Sequence, residues 1–371
     1  MYTGPMTYTF DELLEHKKSG KATETALAAL RREADEILGL PTYCVTNKKL
    51  KAMSGNNHDY MSMGLYWWPN PDTPDGLPYI RRDGYSNPDA NDGINPSKTY
   101  ARVRTLALAA FYFPEKAKEY AEYANRQLYD WFINPETYMS PHARYAQGIP
   151  GICEGRCTGL IDFAYSYTLF NGIGILEEMG LADKKITGGV RDWFVKFTDW
   201  MLTHKNGIEE CNDTDNHGSW YDAQIITAAV FCGRESLAKN ICLTAYDRRL
   251  RFLVERDGSQ PAELRRTQAI NYSLYNLKAM MVIAAVAERL GFKQYWSVDE
   301  QRGGVILKQA VDYLYPYVSG EQEFPFEEFH PERCAEGLSM VMRSVLKRYP
   351  DTDYENKIAA LGKSIGLEPA N

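Results

Sequence analysis

The spacing of apolar residues constrains the fold of this chain more than any other feature. Apolar side chains recur every three or four residues along most of the chain, the period of an amphipathic helix, while the two-residue alternation of strands is nearly absent. This pattern predicts an all-α protein. We predict one or two helices over 10–39 and further helices over 97–112, 114–132, 157–180, 188–204, 217–232, 234–255, 267–292, 303–318, 331–348 and 353–366.

The breaks between these segments are short and carry ordinary helix signals, such as Pro114 at a helix start and Gly207 near a helix end. No repeat of roughly 34 to 45 residues is visible, which argues against a solenoid. Sequential helices joined by short turns favour an α/α toroid of about six or seven antiparallel hairpins, with long loops lining a cleft. A chain of 371 residues could form one large domain or two smaller ones. We predict a single domain over residues 1–371.

A long irregular stretch over about residues 40–96 interrupts the helical pattern, and loops of this length are usually functional. Within it, "YWWPNPDTPDGLPYIRRDGYSNPDAND" places Trp67 and Trp68 before prolines that keep the chain extended, and Arg81 and Arg82 after them. These side chains predict an aromatic wall with cations along a groove for an acidic sugar chain. The alternative is an ordered loop that the tryptophans pin to the helices.

A second loop, "YAQGIPGICEGRCTGLID" over 145–162, is dense in glycine, which permits close backbone approach. Gln147 and Arg156 are hydrogen-bond donors that could bind a carboxylate. The loop is not a phosphate loop, because no Gly-Lys-Ser/Thr follows and no strand precedes it. The alternative is a tight helix entry with Arg156 in a structural ion pair.

The stretch "CNDTDNHGSWYDAQ" over 211–224 resembles a calcium loop at first sight, with Asp213, Asp215 and His217 at alternate positions. Imidazole is not the hard oxygen ligand that calcium requires, and Gln224 stands where a bidentate glutamate is needed. We therefore do not predict a calcium site here.

The same stretch is a good helix start, because Asp213, Asp215 and Asn216 are all favourable capping residues. Capping does not explain the histidine. On the following helix His217, Trp220 and Tyr221 share one face, together with Gln224. This polar and aromatic face predicts a cleft lining, and the alternative is a histidine satisfied in the core.

The segment "QPAELRRTQAINYSLYNLKAMMVIAAVAERLG" over 260–291 contains Tyr272, Tyr275 and Asn276 on one helical face. Arg266 precedes Tyr272 by six residues, so in one continuous helix the two would point apart. If both serve one site, Arg266 must come from the preceding loop. A guanidinium close to a phenol lowers the tyrosine pKa from about 10 and makes it a usable base and acid.

Composition excludes some classes of function. The net charge is −7 and no Lys/Arg-rich run occurs, so nucleic acid is not an expected partner. Aromatic residues make up 13% of the chain, with 26 tyrosines, and such amphipathic rings suit sugar faces. The seven cysteines are scattered without a CxxC pair, so we predict small buried side chains and no zinc site.

Four of these motifs together resemble the alginate lyase superfamily of α/α-toroid polysaccharide lyases. They are "NHGSWYDAQ", "ELRRTQAINYSLYNL", "YWWPNPDTPDGLPYIRRDG" and "YAQGIPGICEGR". The resemblance covers about residues 40–345 and is closest to the enzymes that act on alginate and glucuronan. It implies a lyase of 1,4-linked uronate polymers that requires no metal or other cofactor.

The resemblance also implies residue roles. Asn216 and Arg266 would hold and neutralise the uronate carboxylate, Tyr272 would protonate the leaving oxygen, and His217 or Tyr272 would remove the C5 proton. Arg265 also lies in the motif, and the spacing leaves open which arginine faces the carboxylate. The remaining predicted substrate-binding residues are Trp67, Trp68, Arg81, Arg82, Gln147, Arg156, Trp220, Tyr221, Tyr275 and Asn276.

This chemistry accounts for the residue types. Removing a proton alpha to a carboxylate builds a dianion, which charge-assisted hydrogen bonds stabilise. We expect the positive end of the helix after Asn216 to contribute. One tyrosine could act as base and acid in syn elimination, with His217 as the base in anti elimination.

Two other functions remain open from the sequence. A glycoside hydrolase on the same toroid would use paired carboxylates, for which Asp89, Asp213 and Asp222 are candidates. A glycan-binding protein would bind polymer without shortening it.

We expect a monomer that binds an acidic polysaccharide and has no membrane span, because no apolar run approaches about 20 residues. The opening "MYTGPMTYTF" lacks the basic start and apolar stretch of a secretory signal. Since a polymer does not cross an inner membrane, we expect a periplasmic or secreted protein whose native leader is absent from this sequence.

Overall fold

The computed structural model describes residues 4–90, 95–350, 352–362 and 366–369. Residues 91–92 of the predicted groove stretch and 363–365 of the last predicted helix lie outside the described residues. The described α-helices are α1 (Phe10–Lys18), α2 (Glu24–Leu38), α3 (Pro96–Tyr112), α4 (Ala117–Phe132), α5 (Ser166–Glu178), α6 (Lys184–Thr203), α7 (Lys205–Cys211), α8 (Asn216–Phe231), α9 (Glu235–Ala245), α10 (Pro261–Leu264), α11 (Ala269–Arg289), α12 (Ile306–Val318), α13 (Pro331–Arg348) and α14 (Thr352–Ala360). The short strands are β1 (Met61–Met63), β2 (Trp67–Trp68), β3 (Ile80–Arg81) and β4 (Tyr145–Gly148).

The chain divides into two compact units. Unit 1 comprises the described residues of Met1–Met6, Glu24–Asn212 and Ala228–Gly233, and unit 2 those of Thr7–Thr23, Asp213–Thr227 and Arg234–Asn371. Unit 1 therefore holds α2–α7 and the strands, and unit 2 holds α1, the larger part of α8 and α9–α14. The single domain over residues 1–371 stays a prediction.

Unit 1 is built around α3, which packs on α2, α4 and α5. Asn95 caps this helix by accepting a hydrogen bond from the Ser97 N–H at 2.8 Å, and Pro96 stands at its first position, where a proline is tolerated. In the long irregular stretch, β1 pairs in parallel with β4, and β2 pairs antiparallel with β3. These two small sheets order the loop that the sequence marked as functional.

Unit 2 is built around α11, which packs on α9, α10, α12 and α13. Every residue from Ala279 to Ala287 is buried, so this half of the helix is surrounded by protein. By length and composition α11 could also cross a membrane, which the sequence analysis did not anticipate. However, 78% of its most apolar window is buried, as expected for a core helix.

The predicted helices agree with the structure apart from local differences. The segment 10–39 forms two helices separated by a break at Gly20, whose φ is +66°. Helix α7 was not predicted, and Gly207 lies inside it. Glycine is needed at this position because a Cβ would collide with the Met201 carbonyl near the end of α6. The stretch after α9 widens into a π-helical segment over Tyr246–Arg251. Periodicity does not reveal such a widening, since it adds one residue to a turn.

The π-helical segment holds α8 in place through two arginines. Arg248 and Arg249 both bind the buried carboxylate of Asp222 on α8, with Nη2–Oδ1 2.9 Å and Nε–Oδ2 2.7 Å respectively. Arg249 also donates to the Asp213 carbonyl at 2.7 Å. It passes so close to Gly218 that a Cβ there would collide with it, so glycine is required in the first turn of α8.

We predict that Asp222→Asn destabilises the protein by about 3 to 5 kcal/mol, because it leaves two arginines without their buried counter-charge. Denaturant-induced unfolding measures this loss. Asp247→Asn is the control, since Asp247 forms an exposed pair with Arg251 and should cost less than about 1 kcal/mol. Equal effects of the two substitutions would contradict the importance of the Asp222 pairs.

Candidate active site

The first turn of α8 carries Asn216 and His217 and is capped as the sequence predicted. Asp215 lies immediately before the helix, and its Oδ1 accepts a hydrogen bond from the His217 N–H at 2.8 Å. His217 is partly exposed, whereas Asn216 is buried. The local sequence therefore places the histidine on a capped helix start with its side chain accessible.

A carboxylate from a distant segment clamps Asn216. Glu263 of α10 accepts the Asn216 backbone N–H at 2.7 Å with Oε1 and the side-chain Nδ2–H at 2.8 Å with Oε2. Both residues are 1% exposed. This contact orients the carboxamide of Asn216, and Glu263 is a site residue that sequence reasoning missed.

The environment of Glu263 strongly affects its protonation. Burial, and to a smaller extent the negative charge of Asp215, raises the pKa of this carboxyl to about 7. The hydrogen bonds from Asn216 and the charge of Arg266 act in the opposite direction. A perturbed carboxyl beside an asparagine and an arginine is typical of a functional site.

The expectation that the positive end of α8 helps to stabilise an enolate needs correction. Its first two N–H groups already have acceptors, since Glu263 takes that of Asn216 and Asp215 takes that of His217. Two carboxylates at this helix end offset the dipole. These two N–H groups already bind carboxylates, so we expect charge stabilisation mainly from side chains.

Arg266 and Tyr272 lie against each other in unit 2. The Arg266 guanidinium carbon is 3.8 Å from the centroid of the Tyr272 ring, a cation–π contact. Arg266 lies in the turn between α10 and α11, as the six-residue spacing required, and its N–H donates to the Glu263 carbonyl at 3.0 Å. Arg265 is exposed, while Arg266 and Tyr272 are partly buried.

Glu263 therefore connects the two motifs of the site. Its carboxylate binds Asn216, its backbone carbonyl binds the N–H of Arg266, and the Arg266 guanidinium lies over Tyr272. Unit 2 thus gathers an amide, a guanidinium and a phenol, with the imidazole of His217 on the same helix turn as the amide. The side chains needed to bind an acid and move a proton are all present.

Three predicted substrate-binding residues of unit 2 are as deeply buried as Asn216. Trp220, Tyr221 and Asn276 each have at most 1% of their surface exposed, and their contact with a substrate stays a prediction. Trp220 packs on the partly buried ring of Tyr275 at 5.0 Å, and Asn276 donates to Gln260 at 2.9 Å. On the polar and aromatic face of α8, His217 is partly exposed, while Trp220, Tyr221 and Gln224 are covered by protein.

Unit 1 brings together three other predicted residues, Trp67, Gln147 and Arg156. Arg156 Nη2 donates to Gln147 Oε1 at 2.7 Å, and the Arg156 guanidinium carbon is 5.9 Å from the Trp67 ring centroid. The Arg156 Nε is buried without a hydrogen-bond partner. Burial lowers the pKa of Arg156, although its guanidinium remains charged. A cation with unused donor capacity beside an indole suits the carboxylate of a sugar acid.

Gln147 is held in an uncommon backbone conformation by residues that sequence reasoning missed. Its φ is +50°, a strained value for a residue other than glycine. Ser62 Oγ accepts its backbone N–H at 2.8 Å, and Asp162 Oδ1 accepts its side-chain Nε2–H at 3.2 Å. Burial raises the pKa of the Asp162 carboxyl, although its hydrogen bonds act in the opposite direction. Such strain is characteristic of functional sites.

The other predicted groove residues form a hairpin in unit 1. Trp67 stands opposite Arg81 in the β2–β3 pair. The guanidinium carbon of Arg82 is 5.6 Å from the ring centroid of Trp68. Arg81 pairs with Asp83 at 2.7 Å and is exposed. Aromatic rings and guanidinium groups are thus neighbours in this hairpin, and a groove for an acidic sugar chain stays a prediction.

Of the three carboxylates considered for a hydrolase, the structure makes Asp222 inaccessible. Asp89 is exposed and belongs to unit 1. In unit 2, Asp222 is buried and bound by two arginines, which leaves it unable to reach a sugar. Among the described residues, no group of three or more His, Cys, Asp or Glu side chains could hold a metal ion. The absence of a metal requirement stays a prediction.

Comparisons with known proteins agree with the predicted fold. The family model described as Alginate lyase matches residues 44–324. An alginate lyase from Bacteroides ovatus is 32% identical to this chain and superposes on it with a TM-score of 0.90. The match covers 100% of this chain and 97% of that one. The all-α fold of the α/α-toroid lyase class is therefore confirmed.

A more distant structure shares the fold. It is alginate lyase A1-III in a histidine-to-alanine variant complexed with a tetrasaccharide. Its sequence is 14% identical to this chain, and the TM-score is 0.57. The match covers 93% of this chain and 94% of that one. None of the curated proteins matches the chain.

We predict that Glu263 makes the stability of the protein depend on pH. Because its folded pKa of about 7 lies above its ordinary value of 4.5, the folded state holds an extra proton between these values. The free energy of unfolding therefore falls as pH rises through this window. Relative to Glu263→Gln, the wild type should lose on the order of 1 to 3 kcal/mol between pH 5 and pH 8.

Denaturant-induced unfolding at several pH values measures this difference. Glu300→Gln, which alters an exposed carboxylate, is the control and should leave the pH dependence unchanged. Parallel pH profiles for the wild type and Glu263→Gln would contradict the assigned environment of Glu263.

Proposed function

The chain belongs to the alginate lyase family and is a polysaccharide lyase, and on this premise we propose that it cleaves 1,4-linked uronate polymers by β-elimination. Alginate is the first expected substrate and glucuronan the second. The observation that carries the proposal is the contact of the Arg266 guanidinium with the Tyr272 ring, next to the Glu263 clamp on Asn216.

Asn216 and Arg266 bind the uronate carboxylate in this proposal. Asn216 Nδ2 has two hydrogens and gives one to Glu263, so the other is suited to the substrate. Arg266 adds a positive charge and further donors. These groups stabilise the charge that builds on the carboxylate when the C5 proton leaves, and the buried clamp keeps the amide oriented before the reaction.

Tyr272 and His217 move the protons. The Arg266 charge over the phenol favours its ionised form, so Tyr272 can accept the C5 proton in syn elimination. The C4–O4 bond then breaks, a C4–C5 double bond forms, and the phenol returns a proton to O4. For the C5 epimer the hydrogen lies on the opposite face, and His217 takes it while Tyr272 protonates O4.

The side chains gathered in unit 1 are by themselves suited to bind an acidic sugar. Trp67 offers an indole ring, and Arg156 and Arg81 supply positive charge near it. Gln147 is fixed by Ser62 and Asp162, so its amide is oriented in advance for a sugar hydroxyl or carboxylate. Because a polymer does not cross an inner membrane, the proposal includes a periplasmic or extracellular location.

We predict that the wild type generates the ultraviolet absorbance of a C4–C5 unsaturated product from polymannuronate, polyguluronate or glucuronan, but not from a neutral glucan. Tyr272→Phe should lower kcat by at least about a hundredfold, because it removes the proton donor. Its binding of polymer should be largely unchanged. New reducing ends without this absorbance would indicate a hydrolase, and binding without shortening would indicate a glycan-binding protein.

We also predict that the two adjacent arginines differ. Arg266→Ala should lower kcat/KM by about a hundredfold or more, since it removes a charge next to the reacting carboxylate. Arg265→Ala is the matched control and should change kcat/KM by less than about threefold, because Arg265 is exposed. Steady-state kinetics on polymannuronate measure both. The reverse order would transfer the role to Arg265.

A further inference from the structure

The first turn of α11, which carries Tyr272, is held by a carboxylate from the segment between α12 and α13. Glu328 Oε2 accepts the backbone N–H of Asn271 at 3.0 Å, and Oε1 accepts its side-chain Nδ2–H at 2.9 Å. Glu328 Oε1 also accepts the His330 N–H at 2.9 Å. The adjacent Glu327 carbonyl accepts the N–H of Ala269, the first residue of the helix, at 3.0 Å.

This contact has the same design as the clamp on α8. In both, the two oxygens of one glutamate bind the backbone N–H and the side-chain amide of an asparagine in the first turn of a helix. Each glutamate comes from a segment far away in the sequence. Both helices carry residues of the proposed site, Asn216 and His217 on α8 and Tyr272 on α11.

From this recurrence we infer that Glu328 is a positioning residue for Tyr272. The inference rests on the proposed function, which gives Tyr272 its role as acid and base. Glu328 acts through Asn271, the residue before Tyr272, and has no place of its own in the proposed chemistry.

The physical basis is the weakness of a helix start. The first four N–H groups of a helix have no partner within it, so the first turn frays unless other groups bind them. Glu328 and the Glu327 carbonyl satisfy two of these groups in α11, and a carboxylate also interacts favourably with the helix dipole there.

Tyr272 depends on this turn for its position. Its N–H donates to the Gln268 carbonyl, just before the helix, at 2.9 Å, so its backbone belongs to the turn that Glu328 binds. Arg266 lies outside the helix. Fraying would therefore change the distance between phenol and guanidinium, and displacements near 1 Å are costly in catalysis.

The effect of losing Glu328 should be local. From Ala279 to Ala287 the rest of α11 is continuously buried, and this part holds the helix in the core whatever happens at its start. We therefore expect that loss of the clamp slows the reaction in a protein that stays folded and changes substrate affinity little.

The test compares Glu328→Gln with Glu327→Gln. Glu328→Gln places an N–H group against one of the two Asn271 donors, whereas the exposed Glu327 side chain can be changed without altering its backbone carbonyl. On polymannuronate, Glu328→Gln should lower kcat about tenfold with KM within about twofold, while Glu327→Gln should match the wild type.

Hydrogen exchange followed by mass spectrometry gives a second readout that does not depend on activity. In Glu328→Gln, amides of residues 269–275 should exchange faster, and those of residues 216–220 should not. Glu263→Gln should give the opposite pattern. If the wild type has no lyase activity, the proposed function fails, but this measurement still decides whether Glu328 holds the first turn of α11.

A compensating pair tests the contact itself. Asn271→Asp alone places two carboxylates together and should lower kcat more than Glu328→Gln does. The double variant Glu328→Gln/Asn271→Asp restores an amide-to-carboxylate hydrogen bond and should recover part of kcat relative to Asn271→Asp. If Glu328→Gln fails to fold, Asn271→Ala replaces it, because this substitution removes only the side-chain half of the clamp. The same measurements of kcat, KM and hydrogen exchange then test the inference.

Unchanged kcat in a folded Glu328→Gln variant would overturn the inference. So would faster exchange throughout α11, which would indicate a general stabilising role. A fall in kcat that the compensating pair does not relieve would also contradict positioning through Asn271.

Discussion

The buried contact between Glu263 and Asn216 is the interaction on which the site depends. A carboxylate with almost no exposure is costly to bury, and only donors such as the two of Asn216 make it tolerable. The same contact places α10 against the start of α8. It thereby helps to set the position of Arg266 in the next turn, whose guanidinium lies over the ring of Tyr272. The amide and the guanidinium share this anchor, while Glu328 binds the helix turn that carries the phenol.

The two units contribute different chemistry. Unit 2 contains the groups that could neutralise an acid and transfer a proton. Asn216, His217 and Tyr272 lie on helix starts that distant carboxylates bind, and Arg266 lies in the turn before α11. Unit 1 contains the indole of Trp67 with Arg156 and Gln147, arranged on a loop that two small sheets order. Rigid attachment matters in both, because orienting a group before substrate arrives lowers the cost of binding and reaction.

The sequence predicted those parts of the protein that depend on local signals. Helical periodicity located nearly every long helix, and the capping pattern located the start that carries Asn216 and His217. The requirement that Arg266 precede the helix of Tyr272 followed from helix geometry alone. These features need only neighbouring residues, so they can be derived without knowledge of tertiary contacts.

The sequence could not predict contacts between distant segments. Nothing near Glu263, Glu328 or Asp162 indicates which donors each carboxylate meets. The burial of two aromatic residues on α8 could not be predicted for the same reason. Trp220 and Tyr221 have the amphipathic character of a cleft lining, but whether protein or solvent covers them depends on the packing of other helices.

A crystal structure of the Tyr272→Phe variant with a bound uronate tetrasaccharide tests the central claim most directly. The account predicts one sugar carboxylate within about 3 Å of both Asn216 Nδ2 and an Arg266 nitrogen, with C5 of that sugar facing residue 272 or His217. An oligosaccharide bound with no carboxylate at Asn216 and Arg266 would contradict it.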